Sequence, residues 1–327
     1  MFYLNRREFL YASAMGVVGL STTGLPSWAK EPTKKTIVAL VKTGDRKQGV
    51  RKVLALLTFS PMKGKRVLVK PNFNTADTPP GSTHNDLLAA LVREIQEREA
   101  ASITVGDRCG PGNTQQVMAD KGIFDMGQDM GFDVLNFEDL EEKDWVLINP
   151  AGNHWKGGFY MARPLVKSEY IVTTGCLKTH QFGGHFTMSM KLSVGGVHRK
   201  QMNLLHSSPD MRKMIAEINL GYRPQLIVMD GVEVFTDQGP MTGERKTANV
   251  ILAGTDRVAI DAVGLAVLKE QGSNETIMGR KIFEQDQMKR AVEIGLGVTG
   301  PEQIEIVTKD PASKVYAEKL KSILLQG

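Results

Sequence analysis

The sequence contains little cysteine. Only two of its 327 residues are cysteines, Cys109 and Cys176, and no C-x-x-C spacing occurs. An iron–sulfur cluster held by four cysteines is therefore not expected. Two cysteines leave three alternatives: one disulfide bond between them, a soft metal that they share with His180, or two separate thiols.

Long basic runs are also absent. Lys and Arg number 41 against 36 for Asp and Glu, and the formal net charge is +5. A nucleic-acid-binding protein usually concentrates its basic residues in a patch or stripe, so nucleic acid is not an expected partner. A mild positive excess weakly favours small anionic molecules. No G-x-S-x-G occurs either, which excludes the nucleophile elbow of a serine esterase.

Residues 1–29 have the organisation of an export signal. Arg6 and Arg7 precede a modest apolar run, and a small-x-small cleavage site ends at Ala29. The two arginines resemble a twin-arginine signal, which predicts the twin-arginine translocase as a transient partner and the periplasm as the location. An ordinary secretory signal or an uncleaved anchor is the alternative. No later segment is long and apolar enough for a stable membrane span after cleavage.

Apolar segments alternate with amphipathic segments along the rest of the chain. Ile37–Val41 has the composition of a buried strand, and His84–Glu99 has apolar residues on one helical face. This alternation is typical of an α/β fold with a mostly parallel sheet and helices on both faces. We expect one domain over residues 30–327, with subdomains at 36–150 and 151–327 as the alternative.

Polar side chains follow the predicted ends of several strands. In open sheets of this kind, ligands bind beyond the carboxyl ends of the strands. The sequence therefore predicts a polar site at that edge of the sheet. Eight side chains have such positions: Lys70, Asp107, Cys109, Cys176, Lys178, His180, Asp230 and Asp256.

The segment "TGCLKTHQFGGHFTMSMK", residues 174–191, concentrates titratable side chains. An extended backbone through "LKTH" places Lys178 and His180 on the same face. Lysine supplies a point charge for a carboxylate or phosphate, and histidine supplies a proton switch or a metal ligand. We predict catalytic roles for both, and for Asp230 as a base or metal ligand. A turn with a solvated lysine and a packed histidine is the alternative, as is a tight turn at Asp230.

Glycines and cations suggest the rest of a substrate site. Gly195 and Gly196 lie between Lys191 and Arg199, where exposed backbone amides can form an anion nest. A mobile lid is the alternative for this loop. The predicted substrate-binding residues are Lys70, Asn72, His84, Lys191, Gly195 and Gly196.

A divalent metal is a further candidate ligand. His180, His185 and His206 form part of a local concentration of histidine, and neutral imidazole is a metal ligand. Asp256 completes the predicted metal set, although it could instead cap the helix that follows it. Unrelated histidines in a loop-rich region are the alternative, and the cofactor stays unknown.

Blocks of sequence over roughly residues 36–308 resemble the family known as domain of unknown function 362. They include "VLVKPNFN", "LKTHQFGGHFTMSMKLSVGGV", "LIVMDGVEVFTDQGPMTGE" and "VILAGTDRVAIDAVG". The family often has Lys-Asn at Lys191-Leu192 and Pro-Lys at Gly175-Cys176, so this chain departs from its pattern there. The resemblance places these residues on characteristic polar positions: Lys70, Asn72, Thr83, His84, Asp107, Lys178, His180, Lys191, Asp230, Gly239, Pro240, Asp256 and Asp261.

The resemblance implies functional residues without a reaction. Many relatives carry an appended ferredoxin-type domain, whose cysteines are missing here. We expect an exported enzyme that acts on a small anionic substrate, with metal assistance as one route. A periplasmic protein that binds a small anion without turnover is the alternative from another class. An oxidoreductase role, by association with iron–sulfur relatives, is a third.

Overall fold

The computed structural model describes residues 35–327, and the structural statements below concern that range. The export signal predicted for residues 1–29 lies outside it. The strands of the described range are β1 Thr36–Lys42, β2 Arg66–Lys70, β3 Ser102–Asp107, β4 Asp133–Asn136, β5 Trp145–Ile148, β6 Phe159–Ala162, β7 Tyr170–His180, β8 His185–Thr187, β9 Leu226–Gln238, β10 Gly243–Gly254 and β11 Ile304–Val307.

Nine of these strands form one sheet. Its order is β11-β1-β10-β9-β7-β2-β3-β4, and β8 pairs with β7. Neighbours from β9 to β4 run parallel, as do β1 and β11, whereas β10 runs antiparallel to β1 and β9. A separate antiparallel pair is formed by β5 and β6. The prediction of an α/β fold with a mostly parallel sheet is confirmed.

Helices cover both faces of this sheet. They are α1 Arg46–Leu54, α2 Asn85–Glu97, α3 Thr114–Asp120, α4 Ile123–Met130, α5 Arg163–Lys167, α6 Met202–Ser207, α7 Met211–Ile218, α8 Arg257–Glu270, α9 Glu275–Met278, α10 Asp286–Glu293 and α11 Pro311–Gln326. None of the helices in the described range has the length and apolarity needed to cross a membrane.

Side chains along each strand alternate between the two faces of the sheet, so a strand covered on both faces contributes to two cores. In β1, Val38 and Leu40 pack into the core that contains α8 and α11, whereas Ala39 and Val41 pack into the core that contains α1 and α2. Successive side chains of a strand point to opposite faces, so a strand covered on both sides is apolar throughout. Strands from both halves of the chain belong to this one sheet.

Two central strands are longer than the sequence pattern indicates. The apolar run that starts at Tyr170 continues as β7 through His180, and β9 continues past Asp230 to Gln238. Strand pairing explains both extensions, because β9 pairs with β10 from Ile227 to Gln238, with two irregularities, and the end of β7 pairs with β8. The polar residues of β7 therefore project from a strand rather than from a loop.

A terminal helix is absent from the sequence prediction. The pattern predicts its last helix at Ile282–Glu293, whereas α11 follows β11 and packs against α8. The Asp310 side chain caps α11 by accepting from the Ser313 N–H at 2.9 Å. Its buried residues, such as Leu320 and Leu324, extend the core on that face.

Candidate functional site

A cavity of about 440 Å³ lies at the edge of the sheet where β2, β3 and β7 end. Cavities of this size hold small molecules in proteins. Its lining includes one carboxylate, that of Asp107, and five cationic side chains. The cations are Lys70, Arg108, Lys178, Lys191 and Arg199.

Lys70 and Asp107 form a buried ion pair in the cavity wall. The Lys70 Nζ lies 2.7 Å from Asp107 Oδ1 and also donates to the Pro71 carbonyl. The second oxygen, Asp107 Oδ2, accepts from the Phe73 N–H at 2.8 Å. Both side chains are almost fully buried. The pair is held rigidly and is close to neutral as a unit.

Lys178 is a fixed cation with neutral partners. Its Nζ donates to Asn72 Oδ1 at 3.0 Å, to the Gly81 carbonyl at 2.6 Å and to the Pro240 carbonyl at 2.9 Å. These three bonds use all the donors of an ammonium group. The side chain is fully buried, and this burial lowers the pKa of Lys178 to about 8. Lys178 therefore acts on a ligand through its charge.

Lys191 differs from the other lysines of the cavity. Its side chain is 8% exposed, and within residues 35–327 its Nζ has neither a hydrogen-bond acceptor nor a carboxylate partner. Burial, together with the charges of Lys178 and Arg108, lowers the pKa of Lys191 to about 7. An amine with a pKa near neutrality is available both as a cation and as a base.

Arg108 adds a positive charge that no carboxylate balances in the described range. Its nitrogens donate to the carbonyls of Cys109 at 2.9 Å, Val194 at 2.8 Å and Val197 at 3.1 Å. Burial lowers the pKa of Arg108, although a guanidinium stays protonated in proteins. Three of its five N–H donors are used by the backbone, so its role toward a ligand is mainly electrostatic.

The positive charge of Arg199 is balanced by a carboxylate, unlike that of Arg108. It forms a salt bridge with Glu138 at the rim of the cavity. Among the described residues, Arg108, Lys178 and Lys191 have no carboxylate within salt-bridge distance. These three side chains produce the excess positive charge of the cavity when Lys178 and Lys191 are protonated.

Two histidines of the cavity are neutral at pH 7. Burial and the neighbouring charges of Lys191 and Lys178 hold the pKa of His180 well below its usual value. The Nδ1 atom of His206 lies 2.7 Å from the Met202 carbonyl, which can only accept, so Nδ1 carries the proton. The Nε2 atom of His206 is then the unprotonated nitrogen. Burial also lowers the pKa of His206.

Asp261 fixes the backbone that presents Lys191. Its Oδ1 accepts from the Ser189 N–H at 2.8 Å, and its Oδ2 accepts from the Met190 N–H at 3.0 Å. These N–H groups begin a 3-10 helix at Met190–Gly196. Free N–H groups at the start of a helix need such acceptors. Asp261 is therefore a positioning residue on α8, outside the cavity itself.

The structure places two of the predicted site residues away from the cavity. Asp230, predicted as catalytic, lies within β9 because the strand continues past it, and its Oδ2 is 2.6 Å from Arg46 Nε of α1. His84, predicted to bind substrate, caps α2: its Nδ1 accepts from the Asp86 N–H at 2.9 Å. Both side chains have structural partners instead.

The four residues predicted to ligate a metal are not brought together. Only His180 and His206 line the cavity. Asp256 caps α8 and also accepts from the Val298 N–H, and His185 lies on β8. Within the described range, no group of three or more His, Cys, Asp or Glu side chains is arranged to hold a metal ion. The predicted ligand set therefore does not fit one ion.

Gly195 and Gly196 do not act as a pair in an anion nest. A Cβ atom on Gly195 would lie 2.5 Å from Asp107 Oδ1, so this glycine permits the close approach of the loop to a carboxylate. A Cβ atom on Gly196 would lie 2.3 Å from a methyl group of Leu165, outside the cavity. Both glycines serve close packing.

Of the three alternatives for the two cysteines, the disulfide is not formed. Cys109 and Cys176 are both free and buried. The Cys109 thiol contacts the Pro111 carbonyl at 3.3 Å, whereas the Cys176 thiol contacts the Ser82 carbonyl at 3.4 Å. Burial raises the pKa of Cys176 to about 12, so this thiol is not a reactive thiolate.

Several cavity residues are missing from the sequence prediction, among them the polar residues Arg108, Asn74 and Thr187. Arg108 directly follows the end of β3, so its position at a strand end was a usable signal. Asn74 and Thr187 offer no such signal, because isolated amides and hydroxyls are common in loops. Asn74 Nδ2 and Thr187 Oγ1 are buried and have no hydrogen-bond partner in the described part of the chain. His180 Nδ1 has the same property.

These features define an α/β protein with a cationic, small-molecule-sized cavity at the carboxyl edge of its sheet. Residues 67–266 match the family described as "Domain of unknown function (DUF362)". The match covers more than half of the chain, and the protein belongs to this family, as its sequence blocks predict. The family's description names no activity, so the chemistry of the cavity has to indicate the function.

The chain is also similar to a curated protein and to a solved structure. The thylakoid-associated protein sll1697 of Synechocystis sp. is 24% identical over 213 residues, which are 63% of this chain and 64% of that protein. The chain thus spans less than two thirds of this relative's length. The structure of the lactate racemase apoprotein from Thermoanaerobacterium thermosaccharolyticum has a TM-score of 0.43 and 15% identity, covering 91% of this chain and 88% of that chain.

Proposed function

We propose that the protein is an enzyme that binds a small carboxylate- or phosphate-bearing molecule in this cavity and transfers a proton on it. The observation that carries the proposal is the Lys191 amine, which ends a largely buried side chain, lines the cavity and has no partner among residues 35–327. A bound anion would supply the partner that this amine lacks. Ammonium groups bind carboxylates and phosphates as point charges.

Unsatisfied polar atoms in the wall support a polar ligand. Asn74 Nδ2, Thr187 Oγ1 and His180 Nδ1 are buried without a hydrogen-bond partner in the described range. Leaving a buried polar atom unpaired costs about 1–3 kcal/mol, so native proteins seldom do this without a reason. All three residues line the cavity.

Groups able to accept a proton at neutral pH favour an enzyme over a binding protein. Lys191 has a pKa of about 7, which is near the optimum for a general base at neutral pH. His180 and His206 are neutral at pH 7, and the Nε2 of His206 is free to accept a proton. A site built for binding alone requires the cations but not these bases. Perturbed pKa values in a cavity are typical of catalytic sites.

Calorimetry with inorganic phosphate and with oxalate tests the anion site. A bound anion stabilises the protonated form of Lys191, so its pKa rises and the protein takes up a proton on binding at pH 8. We therefore expect a binding enthalpy that depends on the ionisation enthalpy of the buffer. Lys191→Met should weaken binding by about tenfold to a hundredfold, because a hydrogen bond to a charged group contributes about 1.5–3 kcal/mol.

The matched control is Lys200→Met, which removes an exposed lysine nearby in the sequence. It should bind both anions like the unchanged protein, with the same proton uptake. Equal affinities for the Lys191→Met and Lys200→Met variants would contradict the proposal, as would the absence of binding in the unchanged protein.

We also propose that the protein is exported to the periplasm, on the grounds of Arg6, Arg7 and the small-x-small site ending at Ala29. In a bacterial host with a twin-arginine translocase, the full chain should be recovered from the periplasm in a shortened form. An Arg6→Lys/Arg7→Lys variant should stay in the cytoplasm. Export of that variant at the same level would count against the twin-arginine route.

A further inference from the structure

We propose that Lys191 is a nucleophile that forms an imine with a small carbonyl compound bearing an anionic group, with 2-oxo acids as the substrate class. This inference rests on the proposed anion site and names its substrate. It concerns the amine of Lys191, the cations around it and the backbone that holds it.

The three lysines of the cavity are not equivalent as nucleophiles. Attack on a carbonyl requires a neutral amine with a free lone pair. Lys70 is paired with Asp107 at 2.7 Å, which opposes the lowering of its pKa by burial, and Lys178 uses all its donors on three oxygens. Lys191 has no such partner among the described residues. It is the lysine of this cavity whose amine is free to react.

The cations around Lys191 act on both the amine and the substrate. Lys178 and Arg108 oppose a further positive charge, and together with burial they bring the pKa of Lys191 to about 7. A lysine next to other cations in a desolvated pocket is an activated nucleophile. The same two charges attract the carboxylate of a 2-oxo acid. That carboxylate in turn stabilises the positive charge of a protonated imine.

The neighbouring backbone confines the Lys191 side chain. A Cβ atom on Gly184 would lie 2.8 Å from Lys191 Cε and 2.9 Å from His180 Nδ1, so the glycine lets the chain pack directly against both. The backbone directly before Lys191 is fixed by Asp261, which accepts from the Met190 N–H. A nucleophile has to be held near its target to act efficiently. His180 lies on the same side of Gly184 as the Lys191 stem.

The proposed step balances without an external oxidant or reductant. The neutral Lys191 amine adds to the carbonyl carbon, and a proton moves from nitrogen to oxygen to form a carbinolamine. Protonation of the hydroxyl group expels water and leaves the iminium ion. The overall change is amine plus carbonyl plus one proton to iminium plus water. Unprotonated His206 Nε2 at the cavity wall is a suitable proton relay, because its other nitrogen is bonded to Met202.

Reductive trapping tests this proposal. The full chain is incubated with pyruvate and sodium cyanoborohydride, and the adduct is located by intact mass and peptide mapping. We expect one reduced pyruvate adduct per chain, at Lys191. Its initial rate should rise with pH through about 7 rather than near the ordinary lysine value of about 10.4. Lys191→Arg should lose the adduct, and Lys200→Arg should keep it.

The outcomes separate this inference from the anion site. Phosphate and oxalate binding are measured on the same unchanged protein. Anion binding without an adduct at Lys191 would overturn the imine and leave the anion site standing. Neither binding nor an adduct would overturn both. Labelling spread over the surface lysines, or retained in Lys191→Arg, would also overturn the imine. An adduct confined to Lys191 supports it.

Discussion

Lys70→Met should lower the free energy of unfolding by about 3–5 kcal/mol, which is the usual effect of breaking a buried ion pair by removing one partner. The Asp107 carboxylate would stay buried with the Phe73 N–H as its remaining partner, at 2.8 Å. Lys70 and Asp107 are each 1% exposed, so water cannot replace the lost ammonium without a rearrangement. Urea unfolding at pH 7 gives the free energy directly.

The exposed residue Lys65 supplies the matched control, one residue before β2. Lys65→Met should change the free energy of unfolding by no more than about 0.5 kcal/mol. The double variant Lys70→Met/Asp107→Leu should be more stable than Lys70→Met alone, because no buried charge is left without a partner. A single variant as stable as the control would show that the pair does not hold β2 and β3 together.

Asp261→Ala should lower the free energy of unfolding by about 2–5 kcal/mol. Two buried N–H groups, of Ser189 and Met190, would lose their acceptors, and each unsatisfied group costs about 1–3 kcal/mol. The same substitution should weaken phosphate binding, because these N–H groups begin the 3-10 helix that presents Lys191. Chemical unfolding and calorimetry on one preparation give both quantities. Asp129→Asn, at an exposed aspartate, is the surface control and should change neither.

The pH dependence of Asp261→Asn distinguishes the carboxyl group from its hydrogen bonds. Burial raises the pKa of Asp261 to about 8, against the opposing hydrogen bonds of Met190 and Ser189 and the charge of Arg257. The folded protein therefore binds more protons at this site than the unfolded chain, and stability from this group falls as pH rises from about 4 to about 8. Asparagine does not titrate, so the stability difference between the two proteins should narrow over that range. A constant difference would contradict the raised pKa.

Part of the cavity could be predicted from local sequence. Lys178 and His180 are two residues apart in an apolar segment, and the two-residue period of a strand puts both on one face. Both line the cavity, although β7 runs through them instead of ending before them. Lys70 and Asp107 end β2 and β3, and adjacent parallel strands bring their carboxyl ends to one edge. Periodicity and strand ends carry this information without any knowledge of the fold.

Other assignments depended on partners that are distant in the sequence. Asp230 has the same local context as Asp107, yet Arg46 of α1 lies against it, 184 residues away. The residues adjacent to Asp230 in the sequence do not indicate such a distant partner. The length of β9 was likewise decided by pairing with β10, which continues past Asp230. A strand end is therefore a weaker signal wherever a hairpin can extend the strand.

The sequence by itself determined the α/β class, the family and the edge of the sheet at which Lys70, Asp107, Lys178 and His180 meet. Each of these follows from short-range patterns of apolar and polar residues. Only the tertiary structure decided which cation lacks a partner. Lys70, Lys178 and Lys191 have similar surroundings in sequence, but Asp107 compensates the first and three oxygens bind the second. The pKa of Lys191 depends on burial and on the charges of Lys178 and Arg108, and these exist only when the strands and loops are assembled.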